Sequence, residues 1–224
     1  METAQERLVA VEAEIAKACK AARRKPDNIT LIAVSKTQPI EAINPLLQAG
    51  HRVFGENRVQ EAQAKWPELR ERYPDVELHG IGQLQSNKAE DAVALFDSIH
   101  ALDRMSLVKA LAKAMNKADK RVPCFVQVNI GSEEQKGGCA IEALPELLSE
   151  VRSADIPLAG LMCLPPADIE PAPFFALLAK LLQDNGLTGS EGGLSMGMSG
   201  DYPTAVMLGA THVRVGTALF GARG

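Results

Sequence analysis

Aromatic residues are scarce in this chain, at 4% of 224 positions, with one tryptophan and two tyrosines. There is no series of rings on which successive bases of single-stranded nucleic acid would stack. Basic excess is lacking too. Twenty-four Lys and Arg stand against 28 Asp and Glu, a net charge of -4, so nothing neutralises a phosphate backbone. The tightest basic knot, Arg23-Arg24-Lys25, is cut off by Pro26 and reads as a solvated helix end. Cysteines are few. Cys19, Cys124, Cys139 and Cys163 lie far apart without a CxxC pair, which argues against a disulfide framework and a structural zinc site. Cys124 and Cys163 fall in apolar runs and read as small core residues. His51, His100 and His212 have no metal-ligand spacing. No apolar run reaches the ~18 residues of a membrane span. The polar, acidic start, Met1 to Glu6, is no signal peptide. The expectation is a cytoplasmic protein that binds neither nucleic acid nor membrane.

Alternation is what the chain does have. Hydrophobic residues make up 46% of it, mostly Ala, Leu, Val and Ile. Residues 4–24 show helical spacing, with Leu8, Val11, Ile15 and Ala18 or Cys19 on one face. Short β-like runs follow at 30–35, 52–55, 77–81, 97–101, 124–130, 158–163, 193–197 and 212–216. Helical patterns separate them at 39–49, 57–72, 86–94, 104–117, 141–153, 171–184 and 201–208. Strands alternating with helices predict a parallel sheet, and eight such units predict a closed (β/α)8 TIM barrel with an extra N-terminal helix. A doubly wound open sheet is the alternative. No linker parts the chain, so residues 1–224 read as one domain.

In a barrel, working residues gather at the C-terminal ends of strands and in the loops that follow. The first strand runs into Lys36. An amine closing an apolar run is poorly hydrated, which favours its neutral, nucleophilic form. Such an amine is suited to condense with an aldehyde, of which pyridoxal 5'-phosphate is the commonest held this way. The second strand ends on Phe54-Gly55-Glu56-Asn57, the third carries His79, the fifth ends at Asn129 and the sixth near Met162. Ser195-Met196-Gly197-Met198-Ser199 and Gly216-Thr217, after strands seven and eight, read as a phosphate cup of amides and hydroxyls. Arg214, inside an apolar strand, needs a partner. It could pair with a carboxylate or donate to the nitrogen of a bound pyridine ring, which would discourage protonation there. His79, mid-strand, could equally be a satisfied core residue, and Lys88 and Lys136 could be surface lysines or transient holders of an aldehyde.

Together Ala33-Val34-Ser35-Lys36-Thr37, Phe54-Gly55-Glu56-Asn57, His79 to Lys88, Gly160-Leu161-Met162, Leu194 to Ser199 and Val213 to Gly221 resemble the pyridoxal phosphate homeostasis proteins. That family is similar in fold to the N-terminal barrel of alanine racemase. The resemblance implies pyridoxal 5'-phosphate held as a Schiff base on Lys36, with phosphate on Ser195 to Ser199 and Gly216-Thr217 and Arg214 near the ring nitrogen. Asn57, His79, Met162, Ser195, Met196, Ser199, Gly216 and Thr217 are the further contacts expected. The family often has Tyr where this chain has Arg58, and His where it has Gln83. The resemblance further implies a carrier without established enzymatic activity, with apo pyridoxal-phosphate enzymes as recipients. A complete barrel is expected to stand as a monomer. The competing expectation is an amino-acid racemase. Racemisation needs a second base opposite the lysine, supplied in alanine racemases by a tyrosine of a second domain. No such domain is read here, and the only tyrosines are Tyr73 and Tyr202.

Overall fold

The structure, a computed structural model, describes residues 2–221. Helix α1 (Ala4–Ala21) opens on a capping box, Thr3 and Glu6 each satisfying the other's backbone N–H. Its stripe of Leu8, Val11, Ile15, Ala18 and Cys19 is buried, as the spacing predicts. The helix stops short of residue 24 because Arg23 takes a left-handed φ of 56°. Arg24 is not a solvated end. It is half-buried and donates Nη1 to the Val206 carbonyl at 2.6 Å.

Eight strands follow: β1 (Thr30–Val34), β2 (Val53–Glu56), β3 (Glu77–Gly80), β4 (Ser98–Leu102), β5 (Cys124–Val128), β6 (Leu158–Cys163), β7 (Gly193–Ser195) and β8 (His212–Val215). They close in chain order into a parallel barrel, β8 pairing with β1 from Thr30↔His212 to Ala33↔Val215. Parallel neighbours require crossovers. These are α2 (Ile40–Gln48), α3 (Val59–Arg72), α4 (Ala89–Leu95), α5 (Met105–Ala118), α6 (Leu144–Ser153), α7 (Ala172–Asp184) and α8 (Tyr202–Met207), with a single turn, α9 (Thr217–Phe220), after β8. The (β/α)8 barrel with its extra N-terminal helix is therefore the architecture.

The differences from expectation have local causes. β5 ends at Val128 because Asn129 turns away, its side chain bonding the Glu133 amide and carbonyl. β7 ends at Ser195 because Gly197 takes φ +93°, where an added Cβ would lie 2.6 Å from that of Ala205. Residues 86–88 and 141–143 form 3-10 turns ahead of α4 and α6, and Arg58 is an extended cap before α3. All four cysteines are buried and free.

Outside the strands the core is aliphatic, around Trp66, which lies 5.0 Å from Phe54 between ring centroids. The barrel interior itself is unusually polar. Rings of His79, His100, Phe125 and His212 cluster at the lower end, where strands begin, with neighbouring centroids 4.3–6.2 Å apart. Ser195 and Arg214 lie buried above them. This polar column sits beneath the mouth at the strands' C-terminal ends.

Candidate functional site

At that mouth the barrel opens into a cavity of about 700 Å³. Lys36 stands on its wall, two residues past β1, half-buried. Ser35 still extends the sheet, its amide donating to the Gly55 carbonyl at 3.0 Å, and Thr37 then turns left-handed with φ 61°. The turn is fixed from behind by α3. Lys65 Nζ donates to the carbonyls of Ser35 at 2.9 Å and Gln38 at 3.3 Å, and pairs with Glu56 at 2.7 Å and Glu61 at 2.8 Å. Glu61 Oε1 also accepts the Thr37 amide. Residues on both sides of Lys36 are thus tied to one buried ion cluster, which limits where its amine can go.

Arg214, on β8, forms the floor. Its Nη1 donates to Ser195 Oγ at 2.5 Å and its Nη2 to the Cys163 carbonyl at 2.8 Å. Of the two partners the sequence left open, the carboxylate is not there: among the described residues none pairs with it. Burial pushes its guanidinium down to about 10, while Cys163 and Asp201 act the other way, so it remains charged at neutral pH. A buried cation with no carboxylate in salt-bridge contact among the described residues, beside an open cavity, calls for an electron-rich ligand group.

The third wall carries free donors. Ser199 Oγ accepts the amides of Gly216 at 3.1 Å and Ala218 at 3.3 Å. The amides of Ser199, Gly200 and Thr217 have no partner among the described residues, and all three residues line the cavity. A Cβ at Gly200 would meet nothing within 4 Å, so there is room in front of these donors. A dianion fits such a concavity.

The structure brings Lys36, Asn57, Ser199, Arg214, Gly216 and Thr217 onto this one cavity. Ser195 lies directly behind Arg214, fully buried, and acts on the cavity only through it. Met162 and Met196 are fully buried in the apolar wall and do not line the cavity. His79 does not line this cavity. Its ring turns into the lower barrel layer, bonds His100 at 3.0 Å, and lines a separate cavity of about 400 Å³ at the strands' N-terminal ends. Lys136 lines the upper cavity with its amine on Glu133 and the Pro165 carbonyl, so it is no simple surface lysine. Lys88 pairs with Asp91 outside it.

Sequence reasoning missed the loop from Leu164 to Ile169, which supplies much of the apolar rim, and missed Lys65. A signal for Lys65 existed. It falls on the helical stripe of Val59, Ala62, Trp66 and Leu69, where a charge is out of place.

Residues 7–224 match the family model described as alanine racemase, N-terminal domain. The pyridoxal phosphate homeostasis protein of Pseudomonas aeruginosa is 41% identical, over 100% of this chain and 97% of that protein. That of Aquifex aeolicus is 38% identical, over 97% of each. The PipY protein of Synechococcus elongatus, solved with pyridoxal phosphate bound, superposes with a TM-score of 0.79 at 38% identity, over 92% of this chain and 100% of PipY. Alanine racemase from E. faecalis shares the fold, with a TM-score of 0.68 at 17% identity, over 99% of this chain and 59% of the racemase.

Proposed function

This chain belongs to the pyridoxal phosphate homeostasis protein family, and on that footing we propose that it binds pyridoxal 5'-phosphate on Lys36 and serves as a non-catalytic carrier that buffers and hands on the cofactor. The observation that carries this reading is the shared cavity wall: the Lys36 amine, a buried guanidinium in no salt bridge among the described residues, and three amides without a partner among them. Each matches one feature of the ligand: aldehyde, ring nitrogen and phosphate.

Lys36 would hold the aldehyde through its amine, which on condensing with the aldehyde carbon would release one water. Ser199 and Thr217 offer hydroxyls and amides to the phosphate, and Gly200 offers its amide without a side chain in the way. When bound, the pyridoxal ring supplies an electron sink. Arg214 weakens that sink, because a charged donor at the ring nitrogen keeps a proton off it. Asn57 closes the side of the cavity next to Lys36. Apo enzymes that use the cofactor are the natural recipients.

The place of the two tyrosines supports a carrier without turnover. Racemisation needs a second base on the other face of the substrate Cα. Tyr202 is buried in α8 and Tyr73 lies under the Arg52 guanidinium, 5.2 Å from its ring centroid; neither lines the cavity. Among the described residues no helix is long and apolar enough to cross a membrane.

The test is the visible spectrum of the purified chain mixed with pyridoxal 5'-phosphate, run beside D/L analysis of alanine, serine and other amino acids. A yellow protein, colourless as Lys36→Ala, without racemisation is expected. Turnover above about 1 per second contradicts the carrier reading, and a colourless wild type contradicts the binding.

A further inference from the structure

Arg214 is one end of a buried chain of hydrogen bonds that crosses the barrel from mouth to base. Its Nη1 lies 2.5 Å from Ser195 Oγ, Ser195 Oγ lies 2.8 Å from His100 Nδ1, and His100 Nε2 lies 3.0 Å from His79 Nδ1. His79 Nε2 then faces Glu77 Oε2 at 3.7 Å, beside the lower cavity. The four linked residues are 0–4% exposed, and the two in the middle, Ser195 and His100, are shut off from solvent entirely.

The placement of every hydrogen follows from the arginine end. A guanidinium only donates, so Ser195 Oγ accepts from Arg214. The Ser195 hydrogen then needs an acceptor, and His100 Nδ1 is the one within reach among the described residues. His100 therefore carries its hydrogen on Nε2 and donates to His79 Nδ1, and His79 carries its own on Nε2, toward Glu77. Burial, reinforced by His79, His212 and Arg214, holds His100 well below the ordinary imidazole range. That keeps the ring neutral, as this arrangement demands. The ring is also held in place, stacked on Phe125 with centroids 4.3 Å apart. No net proton leaves at the top, because arginine does not release one. The chain aims Arg214; it does not conduct.

We propose that His100 is a positioning residue for the cofactor. Acting through Ser195, it fixes the direction in which Arg214 presents its remaining N–H donors to the cavity, and so sets the strength of the contact to the ligand's ring nitrogen. This rests on the pyridoxal 5'-phosphate reading above. A histidine that merely packed would affect every ligand of the cavity alike. One that acts through Arg214 affects only ligands with an acceptor at the ring-nitrogen position.

Two measurements on the full chain separate these roles. The first compares binding of pyridoxal 5'-phosphate and its 1-deaza analogue, in which a C–H replaces the ring nitrogen, to wild type, His100→Phe and His100→Gln. His100→Phe is expected to weaken the natural aldehyde about threefold to tenfold, the worth of one hydrogen bond, and to leave the analogue within about twofold. His100→Gln, whose amide both accepts and donates, is expected to recover most of the loss. Equal weakening of both ligands, or of neither, overturns the proposal. The second is nitrogen-15 NMR of the imidazoles in ligand-free wild type, which needs no variant to fold. The His100 hydrogen is expected on Nε2, and finding it on Nδ1 overturns the proposal. Wild type that binds neither aldehyde contradicts the function proposed above, whereas the ring tautomer is read without any ligand.

Discussion

The hydroxyl of Ser199 accepts the Gly216 amide at 3.1 Å across the gap between the β7 and β8 loops. With the Ala218 amide at 3.3 Å, one oxygen ties the two loops together and keeps its own hydrogen free for a ligand. Ser199→Ala is expected to weaken pyridoxal 5'-phosphate by about 0.5–1.5 kcal/mol, or up to about 3 kcal/mol if the bond is to a charged phosphate. Pyridoxal, which lacks the phosphate, should bind wild type and variant alike. Parallel titrations check this, and an equal loss for both aldehydes would mean the hydroxyl serves only the loops.

Lys65 and Glu56 form a buried pair at 2.7 Å, with side chains 11% and 0% exposed. Lys65→Met removes the cation and leaves Glu56 uncompensated. Breaking such a pair costs about 3–5 kcal/mol, to be read as a lowered urea midpoint. Because Lys65 also holds the Ser35 and Gln38 carbonyls, Schiff-base formation on Lys36 should slow in the same variant.

Acid should loosen the fold through its buried histidines before it reaches Glu6, Glu61 and Glu77. Burial lowers His51, holds His100 well below its ordinary value and takes His212 down to about 3. As pH falls through about 6.5 the unfolded chain protonates these rings more readily than the folded chain does, so unfolding is favoured. The loss continues until the folded rings titrate, about pH 3 for His212. Glu6, Glu61 and Glu77, lowered from 4.5, lose their own contribution only below that value. From pH 7 to pH 5.5 the expected loss is about 1 kcal/mol for each ring held neutral. Urea midpoints at the two pH values measure it, and no change would contradict it.

Thiol reagents should leave the native protein untouched. Burial pushes Cys124, Cys139 and Cys163 up to about 12, raises Cys19 as well, and the thiolate is the reactive species. We expect no fast labelling of the folded chain and four labelled sites in denaturant.

Periodicity and end positions made the barrel legible, because each buried strand is an apolar run and each crossover an amphipathic helix. Most boundaries lie within a residue of expectation. The exceptions are the end of α1, cut short at Arg23, the starts of α3, α4 and α6, the last two preceded by 3-10 turns, loops whose apolar side chains still reach the core, such as Ile130 after β5, and the one-turn α9, too short to show a period. Lys36 and the Ser199 and Gly216 loops could be placed at the barrel mouth from sequence because they follow strand ends, and Arg214 stood out as a charge inside the apolar strand β8. For His79 the core reading and the ligand-contact reading could not be separated from sequence, since its position in the chain does not reveal that the ring packs toward the base of the barrel. The Ser195–His100 bond joins residues 95 apart, and no spacing announces it.

The most direct test of the covalent site is borohydride reduction of the protein mixed with pyridoxal 5'-phosphate, followed by intact mass and peptide mapping. We expect one reduced pyridoxyl-phosphate adduct, located on Lys36 and missing from Lys36→Ala. An unmodified Lys36, with the adduct elsewhere or nowhere, would contradict it.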